Sequence, residues 1–260
     1  MSTPTPDGRP VPDVVVEPDA DRLARAVGSA LVARLAAAQA VHGSASVVLT
    51  GGGIGTAVLE QAAAVAAEPE HAVVDWTAVD VWWGDERWVP AADADRNERG
   101  GRAALLDAVG VPAARVHAIP ASDAGFAEPE DAAAWYAGQL AAAAGDGAVP
   151  RIDVLMLGVG PEGHVASVFP GSPAVRDARA VLAVRDCPKP PPTRVSLGLT
   201  AINSAEEVWL LVSGAAKAEA VAQALAGADP EQLPAAGVHG RRATRWLLDT
   251  DAASQLPDRP

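Results

Sequence analysis

Hydrophobic residues recur along this chain with two different spacings, and each spacing predicts a different kind of element. Leu23, Val27, Leu31 and Leu35 return at every fourth position, which is the spacing of a helix with one buried face. Short apolar runs predict buried strands instead. The runs cover residues 14–16, 46–50, 77–83, 115–119, 152–157, 181–184, 194–197 and 208–212, and a last strand or turn covers 243–249.

Helical segments separate these strands. They cover residues 19–41, with Asp19 or Asp21 as the cap, and residues 53–67, 97–109, 128–144 and 215–226. Such alternation predicts an α/β fold: a single, doubly wound, mostly parallel sheet with helices on both faces, Rossmann-like. Right-handed crossovers would bring the carboxyl ends of the strands to one edge. We expect one domain over residues 1–260, with a flexible N-terminal tail at residues 1–11.

Composition narrows the possible partners. The formal net charge is −13, so the surface repels nucleic acid and anionic membranes, and neither is an expected partner. Any anionic substrate needs a local basic pocket. Cys187 is the only cysteine, which excludes an intrachain disulfide and a cysteine-based metal cluster and fits a reducing cytosol. The N-terminal residues lack the apolar core of a signal peptide, no apolar run is long enough to span a membrane, and we expect a cytoplasmic protein.

The stretch from residue 158 to residue 171 carries the clearest candidate chemistry. It follows a buried strand and contains Gly160, Glu162, Gly163 and His164. A carboxylate and an imidazole in a glycine turn after such a strand are typical of an α/β active site, and a tight turn with a solvated histidine is the alternative. The stretch also matches the dinucleotide pattern G-x-G-x-x-G, but the prolines and glycine at 170, 171 and 173 interrupt the helix that this pattern requires.

Three further segments place polar side chains or glycines at or just after predicted strands. The first is a glycine turn that exposes backbone N–H groups to a phosphate, without the lysine of a P-loop, and consists of Thr50, Gly51, Gly52 and Gly53. The second holds Asp85 and Arg87 among three tryptophans, and its alternative is a surface salt bridge packed under indoles. The third is the pair Arg194 and Lys217, two separated cations that suit a phosphate.

General acid–base chemistry on a bound small molecule explains these groups best. The chain has no Gly-x-Ser-x-Gly elbow, so a serine hydrolase of the α/β-hydrolase type is not supported. One histidine with nearby carboxylates can activate a water molecule. No metal and no cofactor is expected.

Taken together, the segments resemble the 6-phosphogluconolactonase family, nearly over the whole chain and in family order. The resemblance rests on residues 49–52, 83–87 with 89–90, 96–97, 158–170, 194–197, 213–217 and 246–249. The related glucosamine-6-phosphate deaminases share the fold, but they carry Asp-Glu-Tyr where this chain has Asp-Glu-Arg at 85–87. They also carry Asn-Glu-Pro where it has Val-Phe-Pro at 168–170, and both differences favour the lactonase. The family usually has Asp at the position of Glu162, and since the charge is kept we expect activity to survive.

The resemblance implies hydrolysis of 6-phospho-D-glucono-1,5-lactone to 6-phosphogluconate in the oxidative pentose phosphate pathway. His164 would be the general base, with Glu162 or Asp85 orienting it, and Arg87 or a backbone N–H group would face the oxyanion. The expected binding residues are Thr50, Gly51, Gly52, Gly53, Asn97, Gly160, Gly163, Arg194 and Lys217. We expect a monomer or weak homo-oligomer. The alternatives are a deaminase-like or isomerase-like enzyme of the same superfamily and a non-enzymatic sugar-phosphate sensor.

Overall fold

The computed structural model describes residues 11–68 and 74–257. Of the N-terminal tail expected at 1–11, residues 1–10 therefore lie outside the described residues. Nine strands occur in the described part of the chain: β1 Asp13–Glu17, β2 Ala45–Leu49, β3 Val79–Trp83, β4 Asp85–Arg87, β5 Val154–Gly158, β6 Val181–Val184, β7 Arg194–Leu197, β8 Glu207–Val212 and β9 Ala243–Asp249.

Helices alternate with strands along much of the described chain. The α-helices of the described residues are α1 Ala20–His42, α2 Gly53–Ala66, α3 Asn97–Gly101, α4 Asp107–Val109, α5 Pro129–Ala144, α6 Leu199–Ile202 and α7 Ala218–Leu225. Asp19 caps α1, because its carboxylate accepts the N–H of Arg22 at 2.8 Å. A π-helical turn, Arg102–Leu106, joins α3 to α4, so the predicted helix at 97–109 is present with a wider middle turn.

Within the described residues, a six-stranded parallel sheet runs in the order β1-β9-β8-β5-β2-β3. From β2 the chain moves to β3 on one side, and it later returns through β5 to β8 and β9 on the other side. This reversal between β2 and β5 is the topological switch point of a doubly wound sheet. The predicted α/β class and the mostly parallel sheet are confirmed.

The expectation of a single sheet is wrong in one respect. Of the described strands, β4, β7 and β6 form a second, antiparallel sheet in that order. The apolar runs at 181–184 and 194–197 are strands, as predicted, but they pair with each other and with the short polar strand β4 rather than with the parallel sheet. An apolar run identifies a buried strand without identifying its neighbour.

A second expectation, a strand at 115–119, is also wrong. Ala113–Arg115 is a 3₁₀ turn, and Val116 makes only an isolated bridge to Val81. Ile119 is buried without belonging to a strand. The apolar residues of this segment cover the core beside β3, which explains why their pattern resembled a strand.

Helices cover both faces of the parallel sheet, as β3 shows. Successive side chains of a strand point to opposite faces. Trp82 makes an edge contact with Tyr136 of α5, whereas a Cβ on Gly101 of α3 would lie 3.6 Å from the Trp83 ring. Both indoles are buried, so the core has two layers, one on each side of the sheet. No helix among the described residues is long and apolar enough to cross a membrane.

Candidate active site

The loops that follow β2 and β5 leave the sheet at its switch point. Parallel strands place their carboxyl ends at the same edge, and a crevice opens where the chain direction reverses. The glycine turn at 50–53 follows β2, and the turn containing Glu162 and His164 follows β5. The topology therefore brings together two segments that are more than a hundred residues apart in sequence.

A cleft of about 230 Å³ opens at this point. Most of the side chains and glycines singled out in the sequence line it: Thr50, Gly51, Gly52, Gly53, Asp85, Arg87, Asn97, Gly160, His164, Arg194 and Lys217. The cleft walls do not include Glu162 and Gly163. Glu162 contacts the His164 ring, and a Cβ on Gly163 would lie 2.4 Å from Leu233. The sequence thus identified the cleft, and the two remaining residues support its wall.

His164 has the surroundings of a neutral base. Its ring stacks on Phe169, with centroids 4.5 Å apart and planes inclined by 24°. Burial lowers the pKa of His164 below its ordinary value of 6.5, and Lys189 lowers it further, while Glu162 and Asp85 raise it. Because the lowering dominates, the imidazole is neutral at pH 7 and can accept a proton.

Gly160 determines how closely the histidine approaches the turn. Its N–H donates to the carbonyl of His164 at 3.0 Å. A Cβ at this position would lie 1.9 Å from Nδ1 of His164 and 2.7 Å from Oε2 of Glu162. Any side chain here would therefore push the imidazole and the carboxylate out of place, so the glycine is required by packing.

Glu162 contacts two nitrogen-bearing side chains, His164 and Lys189, and Lys189 was missed as a site residue. Its Oε1 lies 3.0 Å from Nδ1 of His164. Its Oε1 and Oε2 lie 2.9 Å and 3.0 Å from Nζ of Lys189, and Lys189 also lines the cleft. Hydrogen bonding from Lys189 and the charges of His164 and Lys189 outweigh desolvation and lower the pKa of Glu162, so it is ionised near neutral pH. The signal available in the sequence was the scarcity of lysine, since Lys189 is one of two.

Asp85 is buried and already engaged by neutral donors. Ser167 donates its hydroxyl to Oδ2 at 2.6 Å, and the amide of Asn97 donates to the Asp85 carbonyl at 2.9 Å. Arg194 approaches Oδ2 at 3.8 Å. Asp85 therefore ties the small antiparallel sheet to α3, and its charge acts on His164.

Arg87 and Arg194 stand directly opposite each other in the register of β4 and β7. Like charges in such positions repel, yet both side chains line the cleft. Burial lowers the pKa of Arg194, and the charge of Arg87 contributes to the same effect. A cross-strand pair of arginines beside a cavity is a favourable place for an anion, which would relieve this repulsion.

Glu86 joins β4 to the start of α3. Its buried carboxylate accepts the N–H groups of Asn97 and Glu98 at the start of α3, at 2.8 Å and 2.9 Å. It also accepts the N–H of Arg87 at 2.8 Å. Sequence reasoning gave Glu86 no role, although its position between two candidate residues is visible in the sequence.

The glycine turn after β2 leaves the first turn of α2 open to the cleft. No side chain of the described residues caps α2 at Gly52, and a Cβ on Gly52 or Gly53 would have no neighbour within 4 Å. A Cβ on Gly51, in contrast, would lie 1.9 Å from Oδ1 of Asn97. Free N–H groups at a helix N-terminus attract anions, and Asn97 lies close beside Gly51.

Lys217 completes the basic lining of the cleft from the segment after β8. It ends the 3₁₀ turn Ala215–Lys217. Burial lowers the pKa of Lys217, the charge of Asp249 opposes this, and Lys189 adds to the lowering. Four basic side chains of the described residues thus surround the cavity of a strongly acidic protein, and they are Arg87, Lys189, Arg194 and Lys217.

Comparison with known proteins agrees with this geometry. A family model described as glucosamine-6-phosphate isomerases/6-phosphogluconolactonase matches residues 18–246. The 6-phosphogluconolactonase of Streptomyces coelicolor is 51% identical over 251 residues, 95% of each chain. That of Mycobacterium tuberculosis is 50% identical over 247 residues, 94% of this chain and 98% of the relative.

Solved structures lead to the same group. The 6-phosphogluconolactonase of Trypanosoma brucei superposes with a TM-score of 0.80 at 28% identity, over 95% of this chain and 99% of that one. A monomeric glucosamine-6-phosphate deaminase shares the fold with a TM-score of 0.77 at 20% identity, over 93% of this chain and 99% of that one. Fold similarity alone does not separate the two activities, and the high sequence identities are to lactonases. The chain belongs to the glucosamine-6-phosphate isomerase/6-phosphogluconolactonase family.

Proposed function

We propose that this protein hydrolyses 6-phospho-D-glucono-1,5-lactone to 6-phosphogluconate, the lactonase step of the oxidative pentose phosphate pathway. The observation that carries the proposal is a neutral histidine in a cleft lined by four basic side chains, on a chain of net charge −13. Such a cleft selects a small anion and offers it a base. The two relatives that are 50% and 51% identical are 6-phosphogluconolactonases.

In the proposed mechanism His164 removes a proton from a water molecule, which attacks the lactone carbonyl carbon. The resulting imidazolium is stabilised by Glu162, 3.0 Å from Nδ1, and by the charge of Asp85. The carbonyl oxygen becomes an oxyanion, which Arg87 or a backbone N–H group of the glycine turn stabilises. The oxyanion then collapses and the C–O bond to the ring oxygen breaks. The ring oxygen takes up a proton while the imidazolium gives one up, so the base is regenerated and the acid is released.

The phosphate of the substrate lies far from the reacting carbon and serves to orient the lactone. We propose that it is held by Arg194, Lys217 and the open N–H groups of the turn at 51–53. The absence of a side-chain cap on α2 in the described structure, the burial of Arg194 and the partial burial of Lys217 support this assignment. Arg87 faces Arg194 in the register of β4 and β7, so both guanidinium groups belong to the part of the cleft wall that the second sheet supplies.

The direct experiment follows 6-phosphogluconate production from freshly generated lactone, because the lactone also opens spontaneously. A coupled dehydrogenase reports the product, and the uncatalysed rate is subtracted. We expect a large acceleration by the protein and one about 10²–10⁴-fold smaller by His164→Ala. Glucosamine 6-phosphate, assayed in parallel for ammonia release, distinguishes the deaminase reaction. Ammonia release without lactone acceleration would overturn the proposal.

We also propose that the protein acts in the cytoplasm as a monomer or weak homo-oligomer. The single cysteine is compatible with a reducing compartment, and the strongly acidic surface disfavours tight self-association. Sedimentation at several protein concentrations tests the oligomeric state. A concentration-independent dimer would contradict it.

A further inference from the structure

The proline-rich loop between β6 and β7 carries Lys189, which lines the cleft. Arg194, at the start of β7, donates Nε to the carbonyl of Pro191 at 2.7 Å and a terminal nitrogen to the carbonyl of Lys189 at 3.2 Å. The N–H of Cys187 donates to Pro192 at 2.9 Å and closes the loop. A buried arginine therefore fixes the backbone from which the Lys189 side chain extends.

The side chain of Lys189 ends at the carboxylate of Glu162. Its Nζ lies within 3.0 Å of both carboxylate oxygens, and one of these oxygens is the one that lies 3.0 Å from Nδ1 of His164. One carboxylate is thus shared between a permanent cation and the ring that would become a cation during turnover.

Three charged groups face His164 from the elements packed around it. Glu162 belongs to the same turn, Lys189 to the proline-rich loop and Asp85 to β4. The uncharged ring of Phe169 stacks on the imidazole. The charges that act on Lys217 are those of Asp249 and Lys189, and His164 is not among them. Lys189 is therefore the positive group in direct competition with the imidazolium for Glu162.

We propose that Lys189 is a positioning residue that acts on His164 through Glu162, by holding the carboxylate in place and offsetting its charge. The inference rests on the proposed function, in which His164 is the base. Lys189 keeps the imidazole in the proton-accepting form at lower pH than Glu162 alone would allow, and it fixes the direction from which the carboxylate meets Nδ1.

Replacing Lys189 shifts the equilibrium between the neutral and the protonated ring of His164 in a defined direction. In Lys189→Met a positive charge is lost and Glu162 keeps only His164, so the imidazolium is favoured. We expect the pKa of His164 and the acidic limb of kcat/KM to move to higher pH by about 0.5–1 unit. Lys189→Arg keeps the charge and should keep the limb within about 0.3 unit of wild type. Because the Lys189 side chain is 42% exposed, neither change should impair folding.

The other lysine of the chain provides a matched control in the same cleft. Lys217→Met removes an equal charge, but Lys217 faces Asp249 and Lys189. We expect it to raise KM while moving the pKa of His164 by less than half of the Lys189→Met shift. A fourth variant, Glu162→Gln with Lys189→Met, tests the route through the carboxylate. The shift caused by losing Lys189 should shrink to less than half when Glu162 is already neutral.

The pKa of His164 is read by NMR titration of the imidazole, with His164→Ala assigning the signal. This readout requires no turnover, so it remains valid even if the lactonase assay fails, and the two failures are distinguishable. The proposal is overturned if Lys189→Met leaves the pKa of His164 unchanged. It is also overturned if the shift persists in full beside Glu162→Gln, or if KM rises about tenfold with the acidic limb unmoved, which would make Lys189 a substrate ligand.

Discussion

At the scale of single residues, His164 determines whether the cleft can do chemistry. We expect His164→Ala to lower kcat by about 10²–10⁴-fold, which is the usual contribution of a positioned general base. The ring occupies the cleft wall and stacks on Phe169, so the variant should stay folded. Steady-state kinetics measures the loss, and an unchanged near-UV circular dichroism spectrum controls for folding. Turnover near the wild-type rate would remove His164 from the mechanism.

Glu162 should act on His164 in the direction opposite to Lys189. Its negative charge raises the pKa of His164, so Glu162→Gln lowers that pKa and moves the acidic limb of kcat/KM to lower pH. The plateau should fall as well, because the imidazolium loses its stabilising partner. Glu162→Asp keeps the charge and is expected to be mild. If Glu162→Gln leaves both limb and plateau unchanged, Asp85 becomes the better candidate for the carboxylate partner.

Lys217 tests the proposed phosphate site. A phosphate contact made equally in the ground and transition states affects binding without affecting the chemical step. We therefore expect Lys217→Ala to raise KM, with kcat nearly unchanged. Lys217 is half-buried, with a lowered pKa that reflects desolvation, and Asp249 would lose a charged neighbour. A fall in kcat at constant KM would assign Lys217 to the chemistry instead.

Most of these residues could be found in the sequence because each is at or just after a strand or beside a glycine turn. Lys189 could not be found in this way. It stands among prolines, in a loop without helix or strand periodicity, and its partner Glu162 is 27 positions away. Ion pairs between distant segments depend on the tertiary fold, which local patterns do not encode.

At the scale of elements, the glycine turn after β5 has a strict packing requirement. A Cβ on Gly160 would collide with the His164 ring. We expect Gly160→Ala to lower kcat by about 10²-fold, since a shift of about 1 Å misplaces the base. The matched control is Gly138→Ala in α5, where a Cβ meets nothing within 4 Å. It should gain about 0.5–1 kcal/mol of stability at unchanged activity. Equal activities of the two variants would contradict the role of Gly160.

The elements themselves were predictable to different degrees. α1, α2, α5 and the parallel strands have long periodic or strongly apolar patterns, and the structure confirms them. β4 was not predicted, because its three residues, Asp85, Glu86 and Arg87, are all charged. They form a strand because their side chains find partners: Ser167 for Asp85 and the start of α3 for Glu86. Tertiary contacts overrode a weak local preference there.

At the scale of the whole molecule, the strand order explains why a cleft forms at all. β1 pairs with β9, and β4 pairs with β7. Each of the two sheets therefore contains strands from both the N-terminal and the C-terminal half of the chain. The alternation of helices and strands predicted the parallel sheet. It could not predict the second sheet, because several pairings of short strands satisfy the same pattern. The cleft walls nevertheless depend on that second sheet, which supplies Asp85, Arg87 and Arg194.

The same interleaving argues that the chain is one domain, as we propose, and predicts one cooperative unfolding transition. The outer pair β1–β9 joins the two ends of the chain, so neither half can keep its sheet when the other unfolds. Urea unfolding followed by tryptophan fluorescence and by far-UV circular dichroism should give one midpoint, because Trp83 and Trp209 report on β3 and β8.

Leu248→Ala, at a fully buried position of β9, should lower the free energy of unfolding by about 2–5 kcal/mol and move both signals together. Val41→Ala, at a position 75% exposed, should change it by less than about 0.5 kcal/mol. Two separate transitions, with only one of them sensitive to Leu248→Ala, would show instead that the chain divides into independently folding units.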